Sequence, residues 1–172
     1  MLMELLVLRL VHILGGIFWV GSLFFMTYFL TPAVVAAGAA GGKVMAGKQE
    51  RRLMTIVPWV AAFTLLSGLR LMWLTSGGLA PGYFASSVGA TYTLGGAAAI
   101  VAFSIGMSVA RPTMMRTGAL AAELAETTDP DRQASLQAQL QRLRRKGSWS
   151  TRLVTWLLVA AAASMAVARY MA

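Results

Sequence analysis

Four long apolar runs set the pattern of the chain: Leu5 to Leu30, Leu53 to Leu74, Val88 to Ala110 and Leu153 to Ala168. A helix crosses the hydrocarbon of a bilayer in about 20 residues, so each run predicts a transmembrane helix. Together they predict an all-α, integral membrane four-helix bundle forming a single domain. The last run is the shortest. Arg152, Trp156, Arg169 and Tyr170 supply basic and aromatic anchors at its ends, which let a short span settle by snorkelling and local thinning. Pro32 and Pro112 each stand just past a run, where a helix end tolerates proline and a helix interior does not.

Polar positions fix the expected orientation. The connection from Thr31 to Arg52 carries Lys43, Lys48, Arg51 and Arg52 against Glu50. The connection from Arg111 to Arg152 carries Arg111, Arg116, Arg132, Arg142, Arg144, Arg145, Lys146 and Arg152, while Thr75 to Ser87 has no charge. Basic loops stay in the cytoplasm, so the first and third loops are predicted inside and the second loop and both termini outside.

The third loop is too long for a bare connection and predicts a cytoplasmic helical hairpin over about 113–146. Asp129 suits an N-cap and Pro130 the first helical position. Leu136, Leu140 and Leu143 recur at helical spacing toward Gly147, and Leu120 and Leu124 offer a matching stripe on the first arm. No internal repeat stands out. The glycine- and alanine-rich stretch from Val34 to Gly47 predicts a mobile connection.

Composition sharpens this picture in three ways. The chain is 58% hydrophobic and 12% charged, a balance for lipid rather than water. Its formal charge of +9 resides in the loops that topology already makes basic, so nucleic acid is not an expected partner. With no cysteine there are no disulfides, thiolate metal sites or cysteine nucleophiles. The first thirty residues lack the basic start, short apolar core and small-residue cleavage site of a signal peptide, so they read as a retained first helix.

Titratable groups inside a span are costly and mark candidate sites. His12, Arg9 and Arg70 are the candidates here. Helix 1 enters from outside and helix 2 leaves toward it, which puts His12 and Arg70 at similar depth, within reach of one external-side pocket. Arg9 and His12, three residues apart, share a helix face that continues through Gly16, Trp19 and Met26. An imidazole ligates heme iron or copper readily, and arginines pair with heme propionates. His12 with Arg9 and Arg70 could therefore hold a b-type heme or a chlorin, and His12 with Met72 could hold copper. Equally, His12 could hydrogen-bond a backbone carbonyl inside the bundle while the arginines snorkel to the headgroups.

Trp73, Tyr83, Phe84, Tyr92 and Thr93 gather at the outer interface as an aromatic belt. Gly15, Gly16, Gly95, Gly96 and Gly106 predict close helix approach. The spans contain no carboxylate and no lysine, so paired acid–base catalysis and carboxylate proton relays are not expected. The eleven methionines are scattered, as gap-filling side chains are.

The segments LRLVHILGGIFWVGSLFF, GKQERRLM, QRLRRKGSW and AVARYM resemble small membrane proteins related to the copper-resistance protein D group. His12 followed by Trp19 and Gly21, with Glu50, Arg51 and Arg52 leading into helix 2, is also similar to the HemJ type of protoporphyrinogen oxidase. The resemblance implies a four- or five-helix bundle with copper uptake in one branch and heme-linked chemistry in the other, both through His12. The HemJ pattern also places histidines and a lysine in its third helix, where Val88 to Ala110 has neither. The expectation is therefore a non-enzymatic, multi-pass subunit or scaffold of a bacterial inner membrane. It would pack against other membrane proteins, such as those of an energy-transducing complex, or against itself, with heme or copper handling at His12 as the alternative.

Overall fold

The computed structural model describes residues 2–38 and 48–171, and of residues 48–51, 53 and 54 only the backbone. Most of the predicted mobile stretch and the side chains of Glu50 and Arg51 thus lie outside the described residues. The order is α1 (Leu2–Phe25), a π-helical turn (Met26–Leu30), α2 (Thr31–Ala36), α3 (Lys48–Thr75), α4 (Pro81–Ala85), α5 (Ser87–Ile105), a second π-turn (Gly106–Ala110), α6 (Arg111–Glu126), α7 (Pro130–Val167) and a 3-10 turn (Ala168–Tyr170). No strand occurs among the described residues. Four helices are long and apolar enough to cross a membrane, as in a multi-pass membrane protein.

The prolines do not end their helices. Thr31 N–H donates to Met26 O and Arg111 N–H to Gly106 O, each five residues back. Proline has no N–H to give, and its ring crowds the carbonyl four residues behind it. One widened turn before Pro32 and one before Pro112 absorb that misfit and let the helix continue. Consequently Ser87–Glu126 is a rod of 40 residues, and Pro130–Tyr170, which has no proline in its interior, is one of 41. At 1.5 Å per residue each is about 60 Å long, roughly twice the hydrocarbon thickness.

Gly147, expected to stop the second arm, lies inside α7. A Cβ there would make ordinary contact with Thr113 Cγ2 at 3.4 Å, so the glycine faces α6 rather than capping a helix. Leu136 and Leu140 are buried and Leu120, Leu124 and Leu143 half-buried where α6 and α7 pack. Asp129 accepts a hydrogen bond from Asp131 N–H, Gln133 donates to Thr127 O, and Arg132 pairs with Glu123, which together close the tip.

Helices α1 and α3 pack extensively, as do α5 and α7; α1 with α7 and α3 with α5 touch more lightly. Trp19, Ala61, Ala99, Ala102, Val154, Leu158 and Ala161 form the core between the two pairs.

The two pairs carry the same landmarks, which corrects the expectation of no repeat. Leu14-Gly15-Gly16 recurs as Leu94-Gly95-Gly96, and Pro32 recurs as Pro112 at the same spacing. The π-turns fall in step with them. In the partner helices the spacing is wider but again constant: buried Ala61 matches buried Ala161, and Thr64 matches Ser164. The contacts match too. A Cβ on Gly15 would collide with Thr64 Oγ1, and one on Gly95 would lie 3.3 Å from Ser164 Cβ. Each glycine lets its partner helix approach closely. Gly96 and Gly106, expected to do likewise, have nothing within 4 Å of a Cβ, and Gly16 has only a methyl at 3.9 Å.

Candidate functional site

His12 sits between α1 and α3, half-buried, its ring laid on Gly68: a Cβ there would be 2.6 Å from His12 Cε1. The glycine is what leaves room for an imidazole between two apolar helices. His12 Nδ1 lies 2.8 Å from Thr64 O. A carbonyl can only accept, so Nδ1 carries a proton and donates it to Thr64 O.

The surrounding hydroxyls are satisfied within α3. Thr64 Oγ1 donates to Val60 O at 2.8 Å, and Ser67 Oγ donates to Phe63 O at 2.7 Å and Thr64 O at 3.0 Å. Such back-bonding lets small polar residues stand inside an apolar bundle. Among the described residues no buried side-chain polar atom lacks a partner. In the second pair the crossing hydrogen bond runs the other way, from Ser164 Oγ to Thr91 O at 2.7 Å.

Arg70 does not share this site. Its Nε and Nη2 reach Glu4 Oε1 at 3.0 and 2.7 Å, and Glu4 precedes His12 by two helical turns, roughly 12 Å of rise. The pair is half-exposed, at 49% and 41% of the side chains, so it fastens the start of α1 to the end of α3 with modest energy. Arg9 is exposed and has no ion-pair partner among the described residues. Met72 is half-buried one turn past Gly68. Trp19, placed by spacing on the His12 face, instead meets Phe103 of α5 edge-on at 6.2 Å.

No family model, no curated protein and no solved structure matches the chain. The resemblance described above therefore rests on its own residues.

Chemically, the site offers one imidazole nitrogen. No group of three or more histidine, cysteine, aspartate or glutamate residues able to hold a metal occurs among the described residues. Sequence reasoning found His12 but missed Thr64, Ser67 and Gly68. The available signal was Gly68 in mid-span, one turn after a threonine, which marks where a large side chain from another helix can enter.

Proposed function

We propose that this chain is a non-enzymatic membrane subunit or scaffold, inserted in a bacterial inner membrane with both termini outside and the α6–α7 end in the cytoplasm. Its outer faces pack against other membrane proteins, such as those of an energy-transducing complex, or against a second copy.

The supporting observation is a set of glycines that the bundle does not use. Gly21 on α1 and Gly96 on α5 have nothing within 4 Å of a Cβ. A helix-interior glycine costs about 1 kcal/mol relative to alanine, and neither repays it by internal packing. Helices meet in lipid through such small residues. The first span is also the least buried, 6% of its apolar window against 28% for the last.

Purification from native membranes in mild detergent tests the reading. The wild type should migrate as a stable assembly, and Gly21→Leu and Gly96→Leu should release it while far-UV circular dichroism is unchanged. A monodisperse monomer with no co-purifying protein would sink the proposal. An absorption spectrum with metal analysis beside His12→Ala separates the alternative. A Soret band, a chlorin band or stoichiometric copper that vanishes in the variant would replace the scaffold with a heme- or copper-handling protein.

A further inference from the structure

Beyond the bundle, α6 and α7 border a shallow, open groove of about 500 Å³ lined by Arg116, Ala119, Leu120, Gln139, Arg142 and Leu143. Two arginines line it. Neither is in an ion pair: those among the described residues are Arg70–Glu4 and Arg132–Glu123, and of the two acids on α6 Glu123 is thus engaged while Glu126 stands at the far end of the helix. Arg144, Arg145 and Lys146 are exposed on the following turn of α7. A basic loop accounts for arginines on this side of the bundle, but not for two of them converging on one acid-free groove with an apolar floor. Like charges held together are destabilising until an anion joins them.

The position narrows the anion. Trp149, 67% exposed, marks the boundary between hydrocarbon and headgroups, where tryptophan collects. Arg142 lies two helical turns before it on α7, about 10 Å further out, a few Å beyond a headgroup layer about 5–7 Å deep and within reach of it through a long arginine side chain. Guanidinium groups bind phosphate oxygens in a bidentate fork, and the floor of Leu120, Leu143 and Ala119 suits glycerol and the first methylenes of an acyl chain. From this we infer that the α6–α7 groove binds the phosphodiester headgroup of an anionic phospholipid, with Arg116 and Arg142 as its two ligands. The site clamps the protruding hairpin to the membrane surface.

The test uses the full chain in nonionic detergent, with native mass spectrometry and a fluorescence titration of phosphatidylglycerol against phosphatidylcholine. Wild type should retain phosphatidylglycerol selectively. The R116Q/R142Q variant should bind it about twenty-five-fold more weakly, from a contribution of about fivefold per arginine. R144Q/R145Q, which lies outside the groove, should bind within a few-fold of wild type. Both substituted pairs are exposed, and an unchanged melting profile confirms that folding is intact. Equal retention by R116Q/R142Q, or equal binding of phosphatidylcholine, would overturn the assignment. Inorganic phosphate or glycerol phosphate binding as tightly as the lipid would show a free-phosphate site and overturn it as well.

Discussion

Trp19 and Ala99 occupy equivalent positions in the two helix pairs, at the spacing that relates Gly15 to Gly95, and both are buried in one core cluster. Trp19 is 4% exposed, Ala99 7%. One turn further, half-buried Leu23 and Phe103 stand in the same relation and pack against that cluster. Each layer thus combines one larger and one smaller side chain: tryptophan over alanine, then phenylalanine over leucine, with the two aromatics meeting edge-on at 6.2 Å. If the recurrence is a two-fold relation about the bundle axis, the large residue of a layer can come from either side.

Trp19→Ala alone opens a void. Tryptophan truncation in a core costs about 3–5 kcal/mol. In lipid the transfer from water drops out of helix association, so the lower end, about 3 kcal/mol, is expected, of which about 1 kcal/mol is the contact with Phe103. Ala99→Trp alone overpacks the same layer and costs about 1–3 kcal/mol. The exchange W19A/A99W restores the layer's volume, and adding L23F/F103L restores the diagonal aromatic contact. The quadruple variant should melt close to wild type, and the double variant should be more stable than the sum of its singles by at least about 2 kcal/mol. Unfolding in detergent followed by circular dichroism measures every species. Additive losses within about 0.5 kcal/mol would show that positions 19 and 99 do not share a layer and would refute the two-fold relation.

Two further outcomes follow from the glycine contacts. Gly95→Ala should destabilise by about 1–2 kcal/mol, because its Cβ would meet Ala161 O at 3.2 Å. Its neighbour Gly96→Ala, with open space, should stabilise the isolated chain by about 0.5–1 kcal/mol; thermal melts of the two variants must move in opposite directions. Gly68→Ala should cost about 1–3 kcal/mol by displacing His12. H12A/G68A should recover most of that loss, since the matching position of the second pair is the fully buried Ala168; a double variant worse than G68A would count against the seating of the imidazole on Gly68.

The four spans were legible because an apolar run of bilayer length admits few other readings. The stripe of Leu120, Leu124, Leu136, Leu140 and Leu143 was legible through its helical spacing. Pro32 and Pro112 misled because a π-turn before each of them removes the clash and lets the helix run on. Arg70 was assigned to the His12 level by its backbone depth, but a long side chain reaches along a partner helix and goes to the nearest opposite charge. The acceptor of His12 could not be read from side chains, since every residue offers a backbone carbonyl. Only the missing Cβ of Gly68 distinguishes the place where that carbonyl is approachable.

The recurrence escaped for a different reason. A repeat announces itself by one fixed period, whereas here the first helices match at one spacing, Gly15 to Gly95, and the second helices at a wider one, Ala61 to Ala161. The difference between the two spacings is the extra length of the connection that α6 and the start of α7 fill. What the two pairs share is what close packing in lipid demands: a glycine facing a hydroxyl residue, a buried alanine, and a proline behind a widened turn. What they do not share is therefore free of that demand. The first pair has His12 over Gly68 where the second has Tyr92 and Ala168, and the basic connection formed by α6 and the start of α7 in the second is longer than the corresponding connection in the first. The two halves agree on packing and diverge at opposite ends of the bundle, so the two regions are separable. Variants at His12 should accordingly leave lipid selectivity at Arg116 and Arg142 unchanged, and variants at those arginines should leave the His12 contact intact.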